Sequence, residues 1–215
     1  MKQIFDNQKR NVLENTKKVF EKELLEKIGS ADLIEHCCSR VKENHSIACK
    51  LQAKHLNETM ENALTYLTDL IGVRIVVHFI GDVYDVAAKI RENYAIKEEI
   101  DYISDPKENG YRSFHMIVDV PVMVDGYKSN GQHIPVEIQI RTIAMDCWAS
   151  LEHQMLYKKE HRVQTELVKK ELVNCANSLF STDMKMEAIQ NIIRKSEVKQ
   201  SCAAGICHLK AKSFS

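Results

Sequence analysis

Apolar and polar residues alternate strictly through IPVEIQIR, residues 134–141. The apolar positions are β-branched: Val136, Ile138 and Ile140. The polar positions are Glu137, Gln139 and Arg141. Because successive side chains of a strand point to opposite faces of a sheet, this period of two predicts a strand with one face in a core. The opposite face lines up a carboxylate, an amide and a guanidinium. Taken alone, that face is most simply a half-exposed strand with a Glu–Arg pair.

A polar loop, DPKENGYRSFH at residues 105–115, precedes this strand in the chain. Its proline and its Asn-Gly pair are turn signals. Alternation resumes after them, which predicts a second strand with His115 near its start. Tyr111 follows the turn directly, and Lys107 and Arg112 place positive charge on either side of it. A tyrosine ring in such surroundings can stack on a planar base; the alternative is a common turn with a packed tyrosine.

Cations and a hydroxyl gather around a predicted helix in the first third of the chain. Arg40 and Lys42 precede this helix, and Ser46, Lys50 and Lys54 follow at a spacing of four, which places them on one helical face. At a helix N-terminus, free N–H groups and the helix dipole also favour anions, so the group would suit a polyphosphate. The alternative is a solvated lysine stripe without a ligand.

A nearly continuous apolar run over residues 73–80 predicts a central strand that is covered on both faces. Arg74 interrupts the run, and a guanidinium in a buried strand requires an anionic or stacked partner. Asp69 comes just before the strand, where its carboxylate can reach a site at the edge of the sheet. A lone aspartate at such a position is commonly a cap or a surface residue.

Bulk composition limits the class of protein. The chain has 215 residues with 44% hydrophobic content, which suits one domain with a core. Its 30 basic residues balance its 30 acidic residues, so an anion site must be a local cluster. No apolar run approaches the roughly 18 residues of a membrane span, and the N-terminus lacks a signal-peptide core. Seven irregularly spaced cysteines are expected to be reduced thiols, so we expect a cytoplasmic protein without a membrane partner.

Helical periodicity predicts helices around these strands. They are expected over residues 8–28, from about 44–46, and over 57–69, 82–94, 142–158 and 163–195. Ser30 or Asp32 could cap a further helix after the first, and Asp82 is expected to cap the helix over 82–94. Weaker alternation predicts a strand over 96–104. Residues 196–215 have no clear period and are expected to be frayed.

Four blocks, in order and with matching spacing, resemble the small alarmone synthetases, the stand-alone synthetase domains of the RelA/SpoT homologue family. The blocks are SRVKENHSIACK (39–50), DLIGVRIVV (69–77), DYISDPKENGYRSFH (101–115) and VEIQIRTIAMDCWASLEH (136–153). The resemblance implies a single α+β domain over 1–215 with a nucleotidyltransferase-like mixed sheet of about five strands flanked by helices. Its catalytic core would span about 33–158, with a helical N-terminus over 1–30 and a helical C-terminus over 160–195.

The resemblance also implies an activity. Family members transfer the β,γ-pyrophosphate of ATP to the 3′-hydroxyl of GTP or GDP and make the alarmones pppGpp or ppGpp of the stringent response. Asp69 matches the Mg²⁺-binding aspartate of the family. Glu137 matches the catalytic glutamate, which activates the 3′-hydroxyl or assists metal binding. Mg²⁺ is therefore the expected cofactor, with Asp69 and Glu137 as its protein ligands.

Two further groups of residues match the family's nucleotide contacts. On the ATP side they are Arg40, Lys42, Ser46, Lys50, Lys54 and Arg74. On the GTP or GDP side they are Lys107, Asn109, Tyr111, His115, Gln139 and Arg141. Within these groups, the resemblance implies that Arg40 and Arg74 sandwich adenine and that Tyr111 stacks on guanine.

The chain departs from the family pattern at a few positions. Ile100 stands where relatives often carry a basic residue. Some members are tetramers with a central alarmone site, and His36 and Asp146 differ from the aromatic and amide residues expected to line it. The resemblance therefore predicts a homotetramer without carrying alarmone activation over. The chain has no His-Asp hydrolase signature and is expected to synthesise only.

Two other functions remain alternatives to the transferase. A degenerate synthetase could bind guanine nucleotide or RNA without turnover, but both carboxylates of the expected pair are present, and nothing in the residues supports RNA as a partner. A nucleotidyltransferase that releases pyrophosphate usually carries a Gly-Ser motif with a DxD pair, and neither occurs here.

Overall fold

A computed structural model describes residues 4, 6–29, 32–124, 127–156 and 166–203. The elements are α1 (Asn7–Ile28), β1 (Ile34–Val41), α2 (Asn44–Ala53), α3 (Met60–Tyr66), β2 (Ile71–Val77), α4 (Ile80–Asn93), β3 (Ile96–Asp101), β4 (Phe114–Val124), β5 (Tyr127–Thr142), α5 (Ile143–Leu156) and α6 (Glu166–Ala203). The strands form one sheet in the order β1-β2-β5-β4-β3. Strands β2 and β5 are parallel, and the other neighbours are antiparallel. The predicted α+β fold with a five-stranded mixed sheet is confirmed.

The core lies on one face of this sheet. Val136, Ile138 and Ile140 of β5 are fully buried there, as their alternation predicted. Helix α1 contacts β4 and helix α4 contacts β5 across this core. Phe20 and Leu24 are among the largest buried side chains that α1 contributes. Burial of this apolar area is the main source of stability for such a layer.

The strand register gathers the polar positions on the other face. Gln139 of β5 lies between Arg74 of β2 and His115 of β4. One row along, Glu137 of β5 lies beside Gly72 of β2. Because directly paired residues point to the same side of a sheet, polar side chains from three strands share one face.

The segment after the first helix does not form the helix that Ser30 or Asp32 was expected to cap. The chain over Ile34–Val41 is strand β1 instead, and it pairs antiparallel with β2. As an edge strand, β1 has only one neighbour and largely exposed side chains. Its pattern is therefore weak, and pairing with β2 decides its conformation.

Several element ends also differ from prediction: for example, β3 ends at Asp101, three residues earlier than expected, and α3 is shorter than expected at both ends. Strand β2 stops at Val77, and Phe79 rather than Asp82 is the N-cap of α4; Asp82 accepts a hydrogen bond from the Phe79 N–H at 3.1 Å from inside the first turn. Helix α6 continues to Ala203, so residues 196–203 are helical rather than frayed. The remainder of the expected frayed tail, 204–215, lies outside the described residues. Within the described ranges, no helix is long and apolar enough to span a bilayer.

Candidate active site

The polar face of β5 carries a continuous chain of hydrogen bonds. Gln139 Nε2 donates to Glu137 Oε2 at 2.8 Å, and Arg141 Nη2 donates to Gln139 Oε1 at 2.7 Å. Alternation sets these three side chains on one face, and the hydrogen bonds fix their orientation. The strand therefore presents a carboxylate at one end and a guanidinium at the other, joined by an amide.

Glu137 remains acidic although it is largely buried. Burial alone would raise the pKa of Glu137, but the hydrogen bond and charge of His115 and the hydrogen bond from Gln139 outweigh it and hold the pKa below the usual range. His115 Nδ1 lies 3.3 Å from Glu137 Oε1. At neutral pH the side chain is therefore a carboxylate, able to accept a proton or bind a cation.

A second carboxylate faces the same region. Lys42 Nζ and Lys50 Nζ both contact Asp69 Oδ2, at 2.8 and 2.6 Å. Burial would raise the pKa of Asp69, but these two ammonium groups lower it below its usual value. Asp69 also acts on Glu137, because its negative charge opposes the lowering of that pKa. The two carboxylates expected to work together therefore lie within electrostatic reach of each other.

A cleft of about 220 Å³ opens beside Glu137 on the β1–β2 side of the sheet. Its lining residues are Cys38, Ser39, Arg40, Gly72, Val73, Arg74, Glu137 and Gln139. Gly72 pairs with both Arg40 and Glu137, and a Cβ at Gly72 would meet no atom within 4 Å. The missing side chain therefore leaves room between a guanidinium and the carboxylate.

An aromatic cluster lies on the other side of Glu137. The Tyr111 hydroxyl lies 2.8 Å from His115 Nε2 and accepts a hydrogen bond from Arg141 Nη2 at 2.6 Å. Lys107 Nζ and Arg141 Cζ each lie 5.0 Å from the centroid of the Tyr111 ring. The ring also packs near Trp148, with centroids 6.4 Å apart. These contacts hold the tyrosine at the rim of the carboxylate site.

The loop before β4 positions this tyrosine. Asn109 Oδ1 accepts a hydrogen bond from the Tyr111 N–H at 3.2 Å, and Asn109 Nδ2 donates to Glu152 at 3.4 Å. Gly110 has a φ of 91°, which favours glycine, and it packs tightly against Ala176 of α6. Ile100 is the register partner of His115 and adds no charge to that row.

Of the predicted phosphate-binding side chains Ser46, Lys50 and Lys54, only Ser46 lies at the N-terminus of α2. Helix α2 is ten residues long, so Ser46 lies in its first turn, Lys50 in its last turn and Lys54 at its C-cap. Lys50 and Lys54 are therefore not at the N-terminus of α2 as predicted, because they follow Ser46 by four and eight residues, about one and two turns along the helix. All three side chains are exposed, and Lys50 nevertheless reaches Asp69.

Sequence reasoning did not place Asp146 in the site. Asp146 Oδ1 lies 3.1 Å from Arg74 Nη1 and 3.1 Å from Arg141 Nη1. The requirement of Arg74 for an anionic partner was a usable signal, and Asp146, in the first turn of the helix after β5, was a candidate for it. What was lacking was the parallel pairing of β2 with β5, which the sequence does not reveal.

The described side chains place two ionised carboxylates among lysine and arginine side chains, beside the cleft and the aromatic cluster. Such an arrangement suits polyphosphate groups and a divalent cation, because cations neutralise phosphate charge and hard oxygen ligands bind Mg²⁺. Residues 39–162 match the sequence profile of the RelA_SpoT family, described as the region found in RelA / SpoT proteins. The chain therefore belongs to the RelA/SpoT family.

Relatives and solved structures place the chain among the smaller members. It is 42% identical over 159 residues to GTP pyrophosphokinase YwaC of Bacillus subtilis, covering 73% of this chain and 74% of YwaC. It is 34% identical over 170 residues to GTP pyrophosphokinase YjbM of the same organism, covering 76% and 75% of the two chains. It is also similar to small alarmone synthetase 1 of B. subtilis bound to its product pppGpp, with a TM-score of 0.72, 30% identity and coverage of 88% and 100%. For small alarmone synthetase 2 of B. subtilis, the TM-score is 0.73, with 34% identity and coverage of 84% and 96%.

Proposed function

We propose that the chain is a GTP diphosphokinase that transfers the β,γ-pyrophosphate of ATP to the 3′-hydroxyl of GTP or GDP and so makes pppGpp or ppGpp. The observation that carries this proposal is the position of ionised Glu137 between two different sites: the arginine-lined cleft beside Gly72 and the cluster around Tyr111. Two substrates can meet at one carboxylate in this way. The names of the relatives, and the product bound to one structural neighbour, support the same activity.

The cleft side is assigned to ATP. Arg40 and Arg74 line the cleft and would hold adenine between their guanidinium planes, which stack on aromatic rings. Lys42 and Lys50 lie at Asp69 and would neutralise phosphate charge. Ser46 and Lys54, both exposed, could reach phosphate only if the nucleotide extends along α2, so their roles stay predictions.

The aromatic side is assigned to the acceptor. Tyr111 would stack on guanine, with Lys107 close to the ring. The remaining acceptor-side residues are Asn109, His115, Gln139 and Arg141, and each forms a hydrogen bond within this cluster. A pre-organised cluster of this kind orients the acceptor without a large entropic cost at the moment of reaction.

Glu137 is the proposed general base. The 3′-oxygen of the acceptor attacks the β-phosphorus of ATP. The bond from that phosphorus to the oxygen that bridges it to the α-phosphorus breaks, and AMP leaves with this oxygen. The hydroxyl proton passes to the Glu137 carboxylate. Phosphoryl-type transfer depends on positioning and charge neutralisation more than on covalent chemistry, and this agrees with a site that offers cations and one base.

Mg²⁺ is the proposed cofactor. Asp69 and Glu137 fit it, because both carboxylates are ionised at neutral pH and lie within electrostatic reach of each other. One or two carboxylates are sufficient for Mg²⁺ when phosphate oxygens and water complete its shell. The bound ion would neutralise charge on the transferred phosphates.

Product analysis tests the proposal. The protein is incubated with ATP, Mg²⁺ and, in separate reactions, GTP, GDP or GMP, and the products are separated by anion exchange and identified by mass spectrometry. AMP together with a guanosine penta- or tetraphosphate is the expected result, and the three acceptors reveal the preference. ADP or free pyrophosphate as the sole product would contradict the transferase.

The alternative is a binding module that retains guanine nucleotide or RNA without turnover. Nucleotide binding by calorimetry together with a complete absence of AMP would favour it.

The synthesis-only proposal predicts that purified pppGpp persists on long incubation with the protein. A homotetramer is also proposed, supported by exposed apolar side chains on α6, namely Met184, Met186, Ile189, Ile192 and Ile193; native mass spectrometry tests it. A cytoplasmic location stays a prediction.

A further inference from the structure

We propose that Asp146 is a positioning residue that fixes one arginine of the ATP side and one arginine of the acceptor side at the same time. Its Oδ1 atom lies 3.1 Å from Nη1 of Arg74 and 3.1 Å from Nη1 of Arg141. Arg74 lines the ATP cleft, whereas Arg141 contacts the tyrosine of the acceptor cluster. The inference rests on the proposed function, because it is that function which assigns the two arginines to two different substrates.

Arg141 has a strong need for this carboxylate. Its side chain is only 5% exposed, and its Nη2 atom donates to neutral partners, Tyr111 and Gln139. A buried guanidinium without a counter-charge is costly, because burial removes its hydration. Within the described ranges, Asp146 is the acidic side chain that forms an ion pair with Arg141.

Arg74 brings a second positive charge to the same place. It lies on β2, beside β5, and its register partner is Gln139, two residues before Arg141. Two guanidinium groups so close together repel each other unless an anion lies between them. A single carboxylate oxygen that accepts from both groups offsets this repulsion and links the two side chains mechanically.

The backbone around Asp146 holds the carboxylate in place before any nucleotide binds. Helix α5 begins directly after β5, and the Thr142 hydroxyl caps it by accepting from the Met145 N–H at 3.2 Å. Asp146 lies in the first turn of α5, where the helix dipole favours a negative charge. The side chain is 16% exposed, so water competes little for its oxygen atoms. The carboxylate is therefore a fixed point for both arginines.

Binding of both substrates should consequently depend on Asp146, while the chemical step should depend on it much less. The arginines would hold nucleotides in place, and among the described residues the ion pairs of Asp146 are with Arg74 and Arg141, whereas Asp69 pairs with lysines and Glu137 with His115. Loss of the Asp146 charge should raise KM for ATP and KM for the acceptor, each by about tenfold, because each arginine loses a charge-assisted hydrogen bond. The value of kcat should change by less than about threefold.

Steady-state kinetics with Asp146→Asn tests the proposal, with ATP and the acceptor varied in turn. Asp146→Glu, which restores the charge on a longer side chain, should recover part of both KM values. Calorimetry with a non-hydrolysable ATP analogue and, separately, with GDP should show weaker binding of each to Asp146→Asn. Glu99→Gln is the matched control, because it removes a carboxylate from an exposed ion pair with Arg91 away from the cleft and should alter neither KM.

The possible outcomes separate the two proposals. Wild-type protein without transferase activity would contradict the proposed function, and the calorimetric arm would still test Asp146. With active wild-type protein, unchanged KM values in Asp146→Asn, or an increase for one substrate alone, would overturn the shared role. A fall in kcat with both KM values unchanged, or a loss of melting temperature that accounts for the whole effect, would reduce Asp146 to a structural residue.

Discussion

Two acidic side chains of the candidate site keep their charge because specific partners compensate for burial. Asp69 has two lysines, and Glu137 has a histidine and an amide. Burial acts against the ionised form in both cases, and the hydrogen bonds and opposite charges prevail. The site therefore offers carboxylates at neutral pH.

Replacement of Glu137 by Gln should remove the proposed base while preserving most of the shape of the side chain. We expect turnover to fall by about 10²–10⁴-fold, the usual contribution of a general base. Binding of ATP should be largely retained. Single-turnover assays measure the first effect and calorimetry the second. Wild-type turnover in Glu137→Gln would remove this residue from the mechanism.

Tyr111 allows stacking to be separated from hydrogen bonding. Tyr111→Ala should weaken acceptor binding by about 1–3 kcal/mol, the usual contribution of base stacking, and should affect ATP less. Tyr111→Phe keeps the ring but loses the hydroxyl contacts with His115 and Arg141, so acceptor affinity should stay closer to wild type. Equal losses for both nucleotides in Tyr111→Ala would reject stacking as its role.

The pH dependence of activity should report the environment of Glu137. Its pKa is lowered below the usual value of 4.5, so protonation and loss of activity should occur below that pH in the wild-type protein. His115→Gln removes a contributor that lowers this pKa and leaves the effect of burial in place. The acid limb of the kcat/KM profile should therefore move to higher pH, whatever the loss in absolute rate. An unmoved limb would show that His115 does not set the charge of Glu137.

Helix α6 is attached to the sheet through the beginnings of two other helices. Asp183 accepts a hydrogen bond from the Thr142 hydroxyl, the cap of α5, and Glu187 accepts from the Gly81 N–H in the first turn of α4 at 2.8 Å. Further along, the Trp148 indole donates to the Leu172 carbonyl at 2.9 Å. Helix α6 thereby supports the loop that carries Tyr111 and the tryptophan that packs against its ring.

Asp183 should make this attachment sensitive to pH. Burial, with a contribution from the nearby Glu187, raises the pKa of Asp183. The folded state therefore binds this proton more tightly than the unfolded state, so the cost of the buried charge is present above the raised pKa and disappears as the pH falls below it. Asp183→Asn should be at least as stable as wild type at neutral pH. On acidification, the free energy of unfolding of the wild type should rise relative to that of the variant. Urea unfolding of both proteins across pH 4–7 measures this difference; a constant difference would contradict it.

At the element scale, sequence patterns succeeded where a segment has its own periodicity. The alternation over 134–141 predicted the buried residues of that part of β5, and helical spacing predicted the position of α1. Strand β1 was missed, because an edge strand with exposed cysteine and histidine side chains has little pattern of its own. Asp146 was missed for a related reason, since its contacts depend on the neighbours of β5 rather than on its own segment. Patterns alone could predict residues with local partners, whereas the pairing of Asp69 with Glu137, which the sheet brings together, was predicted only through the family resemblance.

At the scale of the whole molecule, β5 joins the arginine-lined cleft to the aromatic cluster because it lies between β2 and β4. Its parallel pairing with β2 brings the cleft to one side, and its antiparallel pairing with β4 brings Tyr111 and His115 to the other. The charge of Asp69 thereby acts to raise the pKa of Glu137, a residue 68 positions later in the chain.

Filling the cleft should separate ligand binding from folding across the whole molecule. Gly72→Val adds a side chain where a Cβ meets no atom within 4 Å, and it replaces glycine in a central strand by a strong strand former. We expect a melting temperature at least equal to that of wild type. A non-hydrolysable ATP analogue at about 100 times its Kd should stabilise wild type by about 2.7 kcal/mol and the variant hardly at all. Equal stabilisation of both proteins, measured by thermal unfolding, would place the nucleotide elsewhere.

The alternation of side chains along β5 limits which insertions and deletions the chain can accept during evolution. Loss or gain of one residue within 132–136 would shift every later side chain of the strand to the opposite face. Val136, Ile138 and Ile140 would then be exposed to solvent, and the carboxylate, the amide and the guanidinium would be buried in the apolar core. Insertions and deletions near the connection between β4 and β5 should therefore be tolerated only where the alternation of residues 136–141 between the two faces is kept. A change of register by one residue would remove both the polar site and the apolar core face of the strand.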